Sequence, residues 1–322
     1  NNGANAYAIG LYANSNGAHT LAIGSWANSS GSQSLAIGTI ASASGFSTTA
    51  LGSDTHADGI SSTALGTGAR SHALASTALG TSSNATANYS LAIGPLANAS
   101  AEGATAIGNF SSSSAGDALA IGTQANATAN NATALGTYAN ASDVNTIAMG
   151  NKALASNMSA VAIGDSASAT GRYGIAMGLN ATASGDSSYV IGRDARADRY
   201  SDISIGTLAY ASGKESTAVG ISANATGFRS IAMGALTNAT ANATIALGMG
   251  SQATAEGATA ITGRAGGYYS TAIGGVANAT GNYSIAQGFL SNATGESSIS
   301  IGQRSNVTGN QSIGIGVGNQ VH

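Results

Sequence analysis

A short apolar phrase that ends in glycine recurs along the chain with a fixed period, as at residues 35–38 (Leu-Ala-Ile-Gly). The phrase-ending glycines begin at Gly10, Gly24 and Gly38, a step of fourteen, and keep this step through 17 consecutive repeats to Gly248 without an insertion or deletion. The glycine that begins the next regular series, Gly274, comes two positions short of two full repeats, and the step then resumes to Gly316. A period held this long indicates a repeat architecture, in which each repeat forms one structural unit.

The pattern inside each repeat predicts two short strands. With the phrase-ending glycine numbered 14, positions 11 and 13 carry Leu, Ile, Val, Met or Thr, position 12 is mostly Ala, and position 10 is mostly Ser or Thr. Positions 3 and 5 are often Ala, with Asn or Ser at 4 and Ser or Thr at 6, as in residues 125–128. Alternation with a period of two is typical of strands. We therefore expect positions 11 and 13 to share one face of the first strand, and the second strand to turn its small side chains inward.

Glycine predicts the corners that join these strands. It occupies position 14 and often position 7, where a positive φ is expected; examples at position 7 are Gly45, Gly171, Gly185, Gly213 and Gly281. The density of Gly and β-branched residues disfavours the helices that an Ala-rich chain would otherwise form. A coil made from one such repeat with two corners is thin, so its interior demands small side chains.

Composition excludes several classes of function. Charged residues make up 7% of the 322 residues, the net charge is −3, and there is no Cys. The charge gives no electrostatic basis for binding nucleic acid, and the missing Cys excludes disulfides and Cys-ligated metals. No apolar run is long enough to span a membrane, and no signal peptide is recognised.

Candidate catalytic groups do not converge. His19, His56, His72 and His322 occupy unrelated repeat positions, and carboxylates cluster only beside arginine. The Gly-rich residues 314–318 resemble a phosphate loop only superficially, because no helix is expected after them. We predict that the chain is not an enzyme and has no catalytic, cofactor or metal site.

Positions 11 and 13 would leave a long apolar stripe on the outside of the stacked coils. Such a stripe is not stable in water as the surface of a monomer. Its burial against identical copies around one axis is the economical solution.

The phrases at residues 34–38, 90–94 and 160–164, each followed by alternating Ala and polar residues, resemble the YadA-like head repeats of trimeric autotransporter adhesins of Gram-negative bacteria. The resemblance covers essentially the whole chain. It implies an all-β fold, a left-handed parallel β-roll (β-solenoid) of about 22 coils with one repeat in each, and a homotrimeric rod. The domain expectation is a single YadA-like head over residues 1–322 with a register break at 262–267, and without a neck, coiled-coil stalk or membrane anchor.

The resemblance also implies partners and a location. The partners are two further copies of the chain and a surface such as extracellular matrix, host cells, sister cells or abiotic material, with no nucleic acid and no membrane contact by this segment. The location is extracellular, at the cell surface, with outer-membrane anchoring only through parts not in this chain. The residues expected to face the trimer axis are Leu35, Ile37, Leu91, Ile93, Val161, Ile163, Ile231, Met233 and Gln287.

Three local departures from the repeat have open interpretations. Thr262 replaces the repeat glycine and the segment after it is two residues short, which indicates either a ligand-binding or kinked corner or a neutral deletion. Gln287 stands where Ile or Leu is usual, either facing the axis, where three amides would bond to one another or hold an ion or water, or tilted outward. The charged residues of 193–202 predict ion pairs between coils or chains, with a ligand patch as the alternative. The eleven tyrosines are scattered and predict ordinary surface.

Eighteen Asn-x-Ser/Thr sequons occur, and ten of them fall at position 4. They would carry N-glycans if the source glycosylates them, stack as amide ladders along the coils, or order water as in ice-binding β-solenoids. The ten candidate glycosylation sites are Asn28, Asn84, Asn98, Asn126, Asn140, Asn224, Asn238, Asn278, Asn292 and Asn306.

Three functions are compatible with this sequence. The first is a cell-surface adhesin head that presents a repetitive polar surface for many weak contacts, whose avidity supplies affinity. The second is a structural extracellular or viral filament without a specific ligand. The third is an ice-binding β-solenoid, which varied outward residues such as Trp26, Phe110, Arg172 and Lys214 disfavour.

Overall fold

A computed structural model describes residues 3–322, and within these residues all regular secondary structure is β. The chain divides into two compact units, Asn1–Asp165 and Ser166–His322. Both units are parallel β-solenoids in which three-residue and two-residue strands alternate along the chain. Together they contain the predicted number of about 22 coils.

The strands of the first unit are, in chain order, β1 (Tyr7–Ile9), β2 (Asn14–Ser15), β3 (Leu21–Ile23), β4 (Asn28–Ser29), β5 (Leu35–Ile37), β6 (Ser42–Ala43), β7 (Thr49–Leu51), β8 (His56–Ala57), β9 (Thr63–Leu65), β10 (Arg70–Ser71), β11 (Thr77–Leu79), β12 (Asn84–Ala85), β13 (Leu91–Ile93), β14 (Asn98–Ala99), β15 (Thr105–Ile107), β16 (Ser112–Ser113), β17 (Leu119–Ile121), β18 (Asn126–Ala127), β19 (Thr133–Leu135), β20 (Asn140–Ala141), β21 (Ile147–Met149), β22 (Leu154–Ala155) and β23 (Val161–Ile163).

The strands of the second unit are β24 (Ser168–Ala169), β25 (Ile175–Met177), β26 (Thr182–Ala183), β27 (Tyr189–Ile191), β28 (Arg196–Ala197), β29 (Ile203–Ile205), β30 (Tyr210–Ala211), β31 (Thr217–Val219), β32 (Asn224–Ala225), β33 (Ile231–Met233), β34 (Asn238–Ala239), β35 (Ile245–Leu247), β36 (Gln252–Ala253), β37 (Thr259–Ile261), β38 (Arg264–Ala265), β39 (Thr271–Ile273), β40 (Asn278–Ala279), β41 (Ile285–Gln287), β42 (Asn292–Ala293), β43 (Ile299–Ile301), β44 (Asn306–Val307), β45 (Ile313–Ile315) and β46 (Gln320–Val321).

Within each unit, strands pair in parallel with the equivalent strands of neighbouring coils, so equivalent residues stack. In β3 and β5, Leu21 pairs with Leu35, Ala22 with Ala36 and Ile23 with Ile37. Within each unit the three-residue strands form one sheet and the two-residue strands form a second sheet. The two alternations read from the sequence are therefore confirmed as two sheets.

The interior of each coil is built from the small residues at positions 3, 5, 10 and 12. The alanines Ala27, Ala36 and Ala43 have no accessible surface, and the same holds for most of their equivalents. In several coils the buried hydroxyl at position 10 donates to the carbonyl at position 7, as Thr20 Oγ1 does to Gly17 O at 2.9 Å. Ser and Thr are tolerated at this buried position because the carbonyl gives their hydroxyl a hydrogen-bond partner.

The corners differ from the prediction in one respect. Glycines at position 14 have φ near +130°, as at Gly38 (+136°), but the glycines at position 7, such as Gly45, do not have a positive φ. The left-handed residue of the second corner is at position 9, and the first corner has another at position 2. Glycine is favoured at position 7 by close packing between coils and not by its φ. A Cβ on Gly31, for example, would collide with the backbone of Gly45 in the next coil.

Candidate functional site

The side chains at positions 11 and 13 of the three-residue strands point outward and form what we call the apolar face of each unit. Position 12 between them is buried, so the predicted orientation is confirmed. Met233 is 46% exposed and Leu65 44% exposed. The predicted trimer-face residues all lie on this face; Leu35, Ile37, Leu91, Ile93, Val161, Ile163 and Ile231 are half-buried, and Met233 and Gln287 are exposed.

Gln287 is a polar interruption of the apolar face. Its backbone pairs with Ile273 in the preceding coil and Ile301 in the next, so it occupies the regular position 13. The structure therefore places Gln287 in the row of position 13, as the periodicity predicts. Its role at a trimer axis stays a prediction.

The outward side chains at position 4 of the two-residue strands form the second surface, the amide face. Where Asn occupies this position in successive coils, the Nδ2 of one residue donates to the Oδ1 of the next. The bonds join Asn14 to Asn28 (3.2 Å), Asn84 to Asn98 (3.0 Å), Asn126 to Asn140 (3.3 Å), Asn224 to Asn238 (2.8 Å), Asn278 to Asn292 (2.8 Å) and Asn292 to Asn306 (2.6 Å). The amide ladder, one of the three interpretations of the sequons, is present in the structure.

The ladder divides the ten candidate glycosylation sites into two groups. N-glycosylation attaches a sugar to Nδ2, the atom that donates in the ladder bonds. That atom is engaged in Asn84, Asn126, Asn224, Asn278 and Asn292. Only Oδ1 is engaged in the ladder at Asn28, Asn98, Asn140, Asn238 and Asn306. Modification of either group stays a prediction.

The ion pairs of the charged segment 193–202 lie within its own coil, and its carboxylates also accept hydrogen bonds from neighbouring coils. Arg196 Nε lies 2.5 Å from Asp198 Oδ1, whose carboxylate also accepts from Tyr210 at 3.1 Å and from Ser184 at 3.1 Å. Arg193 lies 3.6 Å from its neighbour Asp194. Ion pairs are therefore present in this segment, but both join residues of one coil, whereas the prediction was of pairs between coils or chains.

Asp202 departs from the other charges of this segment because it is fully buried. It occupies position 10, where its carboxylate accepts hydrogen bonds from the backbone N–H and hydroxyl of Ser216, both at 2.9 Å, and from the N–H of Arg199 at 3.0 Å. Burial raises the pKa of Asp202, and these hydrogen bonds oppose the increase. The burial of Asp202 could have been predicted from the sequence, since position 10 faces the interior of the coil.

Ion pairs between coils occur along the second corner, formed by positions 6 to 9. Arg172 donates from Nε and Nη2 to Asp186 Oδ2 at 3.0 and 2.8 Å, and its N–H donates to Oδ1. These bonds lower the pKa of Asp186 and raise that of Arg172. Arg229 pairs with Glu215 at 2.7 Å. All four side chains have substantial exposure, so water screens both pairs and they contribute little to stability.

Three tyrosines at the second corner form a cluster that sequence reasoning missed. The rings of Tyr269 and Tyr283 are stacked at 6.1 Å, and Tyr268 packs edge-on against Tyr269 at 4.6 Å. The carboxylate of Glu256 raises the pKa of Tyr268. Tyr269 and Tyr283 both occupy position 9, and residues at the same position of successive coils stack. Their stacking could therefore have been predicted from the repeat numbering. The prediction of scattered tyrosines is wrong at this place.

The shortened coil opens a cleft at the first corner, formed by positions 14, 1 and 2. Arg264 pairs with Gln252 and Asn278 in the position-4 row, so the two deleted residues are positions 1 and 2 of this coil. Thr262 takes the place of the glycine with φ 55°, and its N–H still bonds to Leu247 O at 2.8 Å. The resulting cleft has a volume of about 510 Å³ and is lined by Met249, Gly250, Gln252, Thr262, Gly263, Arg264, Val276, Ala277 and Asn278.

The histidines and carboxylates within residues 3–322 do not form a metal-binding group. No group of three or more His, Asp or Glu side chains is close enough there to hold a metal ion. The histidines remain apart, although His72 Nδ1 lies 2.8 Å from Asp58 Oδ2, and Ser44 donates to Oδ1 of the same carboxylate. No helix capable of crossing a membrane was found among these residues.

Comparison with protein families gives a match described as the YadA head domain repeat (2 copies). Comparison with curated proteins finds no match. The family matches cover most of the chain and leave residues 252–264, at the shortened coil, as the longest internal gap. The matched residues are 2–25, 15–39, 43–69, 73–97, 89–111, 113–139, 131–153, 141–167, 155–181, 169–195, 183–209, 200–223, 211–237, 225–251, 265–291 and 293–319.

Proposed function

Because the chain belongs to the YadA head domain repeat family, we propose that it is the head segment of a trimeric cell-surface adhesin. The apolar face is the observation that carries this proposal. Its side chains at position 13 stay exposed in a single chain, as Leu65, Met149 and Met233 do. An apolar row of this length requires a partner, and a symmetric trimer of identical chains buries all three rows at once.

The amide face supports the adhesive part of the proposal. Asn recurs on it in runs of two or three successive coils, so a trimer would present several similar groups of polar contacts. Weak contacts that act together give a high overall affinity. The targets we propose are extracellular matrix, host cells, sister cells or abiotic surfaces, with the segment located outside the cell.

Native mass spectrometry of the chain tests the assembly. We expect three chains in the folded species, and any N-glycans would add mass in the same spectrum. A stable folded monomer at micromolar concentration would contradict the trimer, because the apolar face would then tolerate water.

A binding assay tests the adhesive function separately. The assembled protein is applied to surfaces coated with matrix proteins and to whole cells, with albumin-coated surfaces as the control. We expect binding to at least one of these surfaces above the albumin level. Uniform failure together with end-to-end polymers would favour the structural filament instead.

A further inference from the structure

We propose that the cleft at the shortened coil binds an acidic saccharide unit, with Arg264 holding its carboxylate. This inference rests on the proposed adhesive function and names the chemical class of one of its ligands. The cleft is the place where the family repeat is broken, since the family matches stop at residue 251 and resume at residue 265.

Backbone groups that are paired between regular coils lose their partners here. In a regular coil the N–H of position 2 donates to the carbonyl of position 1 in the preceding coil, as Leu290 does to Gly275 at 3.0 Å. The shortened coil has no residues at these positions. The carbonyl of Met249 on one side and the N–H of Val276 on the other therefore lack this bond. They supply one acceptor and one donor at opposite walls of the cleft.

Arg264 supplies the positive charge. Its exposed side chain lines the cleft and forms no ion pair within the described residues, unlike Arg172 and Arg229, which are paired with carboxylates of neighbouring coils. No Asp or Glu is among the residues that line the cleft. A guanidinium with no internal partner is well suited to bind a carboxylate through two parallel hydrogen bonds.

The polar neighbours of Arg264 select hydroxyl groups. Asn278 donates from Nδ2 to Asn292 at 2.8 Å, but its Oδ1 receives no ladder bond because Arg264 precedes it in the row. Gln252, on the other side, lies outside the ladder bonds. The side-chain amides of Asn278 and Gln252 offer both hydrogen-bond acceptors and donors. A sugar hydroxyl can donate to the one and accept from the other. Together with the exposed side chains of Met249 and Val276, they match the polar edge and apolar face of a sugar ring.

The size of the cleft fits this class of ligand. Its volume of about 510 Å³ lies within the range of small-molecule pockets, about 300–1,000 Å³. The neighbouring corner positions Gly250 and Gly275 carry no side chain that would fill it. Nothing lies within 4 Å of a Cβ built on Gly250, so this wall is open.

Saturation-transfer NMR on the assembled protein tests the proposal with glucuronate as the probe. Glucose is the neutral control of the same ring, and glucose 6-sulfate separates a carboxylate preference from binding of any anionic sugar. We expect glucuronate to bind about tenfold more tightly than glucose, with the difference shrinking at high salt. Equal binding of glucose and glucuronate would overturn the proposal, and stronger binding of the sulfate would overturn its carboxylate part.

Two variants locate the binding. Arg264→Gln should weaken glucuronate about tenfold, whereas Arg304→Gln, which removes the same charge at an exposed first corner outside the cleft, should not. Thr262→Gly with Ser-Asn inserted before Gly263 restores the full corner and should abolish binding. Native mass and thermal melting establish that each variant is folded. Unchanged glucuronate binding by Arg264→Gln would overturn the proposal without depending on the inserted variant.

The surface-binding assay separates this inference from the proposed function. If the wild-type protein and Arg264→Gln adhere equally and neither binds glucuronate, the saccharide site in the cleft is contradicted while the proposed adhesive function is supported. If glucuronate binds through Arg264 but the protein adheres to no surface, the site stands and the adhesin fails.

Discussion

The apolar face and the amide face are built on the same stacked coils, but they differ in whether stacking provides partners for their outward groups. On the amide face, asparagines in successive coils bond to one another, as Asn278 does to Asn292 and Asn292 to Asn306. On the apolar face the residues at positions 11 and 13 are in register with their equivalents in the next coil, but their side chains stay partly exposed. Stacking alone thus satisfies hydrogen bonds and leaves hydrophobic area uncovered.

This difference indicates which face takes a partner. A ladder of amides already has its hydrogen bonds and remains compatible with water, so the amide face is free to lie outside an assembly. An apolar row gains free energy only when it leaves water, at about 25 cal/mol per Å². The apolar face is accordingly the surface that we expect between chains.

The largest effect is expected from placing charges on the apolar face. Val161→Asp combined with Ile163→Asp should abolish the trimer, because an unpaired carboxylate in a buried interface costs about 3–5 kcal/mol. Native mass spectrometry reads the change as monomer in place of trimer. Asn140→Asp is the control on the amide face, where Oδ1 is kept and can still accept from Asn126. A trimer that persists in the double variant would assign the interface to another surface.

The interior that both faces share should respond to the loss of single hydroxyl groups. Ser34 Oγ is buried and donates to Gly31 O at 2.5 Å, and it also lies 2.6 Å from Ser29 Oγ. Ser34→Ala should lower the free energy of unfolding by about 1–2 kcal/mol, because it leaves a buried acceptor without its donor. Urea unfolding at a fixed protein concentration measures the change.

Ser188 provides the control for this substitution. It occupies the same position 10, but its Oγ has no hydrogen-bond partner among residues 3–322. Ser188→Ala should therefore leave the free energy of unfolding nearly unchanged or raise it slightly. Equal losses in the two variants would mean that packing of the side chain, and not its hydrogen bond, determines the preference for Ser at position 10.

Asp202 makes one interior position of the second unit dependent on pH. Because burial raises its pKa in the folded chain, the folded state holds the proton more tightly than the unfolded state. Its contribution to stability is therefore fully present below the ordinary pKa of 3.8 and is lost as the pH rises through the raised folded value.

Comparison with Asp202→Ser isolates this dependence. The variant carries the usual residue of position 10, so its stability relative to the wild type should increase as the pH rises through that acidic window. Thermal melting of both proteins between pH 3 and 7, at roughly constant ionic strength, measures the difference. A difference that is constant with pH would show that Asp202 has the same proton affinity in the folded and unfolded chains.

The repeat period made most of the fold predictable. It placed Ala36 inside and Leu35 outside, it ordered the strands, and it identified the shortened coil at Thr262. Each of these follows from alternation or spacing, which are properties that side-chain chemistry imposes on the sequence.

Backbone conformation at the corners was less accessible to sequence reasoning. Positions 2 and 9 are left-handed even where they carry β-branched or aromatic residues, such as Ile40 (φ 60°) and Trp26 (φ 61°). Such residues disfavour this conformation, so their identity argued against it. It is stabilised by bonds between coils, as when the N–H of Ile40 donates to Ser25 O at 2.9 Å. A ligand-binding corner at Thr262 was one interpretation of the sequence, but the spacing alone did not show which corner loses its residues and so where the cleft beside Arg264 opens.

The smallest effect is expected within the amide ladder itself, where the number of bonds differs between positions. Asn292 donates to Asn306 and accepts from Asn278, whereas Asn238 only accepts, from Asn224. Asn292→Ala should therefore lower the free energy of unfolding by about 0.5 kcal/mol more than Asn238→Ala, because each half-exposed neutral bond contributes about that amount. Urea unfolding of both variants gives the difference directly. Equal losses would mean that the ladder bonds add nothing to stability beyond side-chain packing. The asparagines would then contribute to the amide face only as polar groups exposed to water.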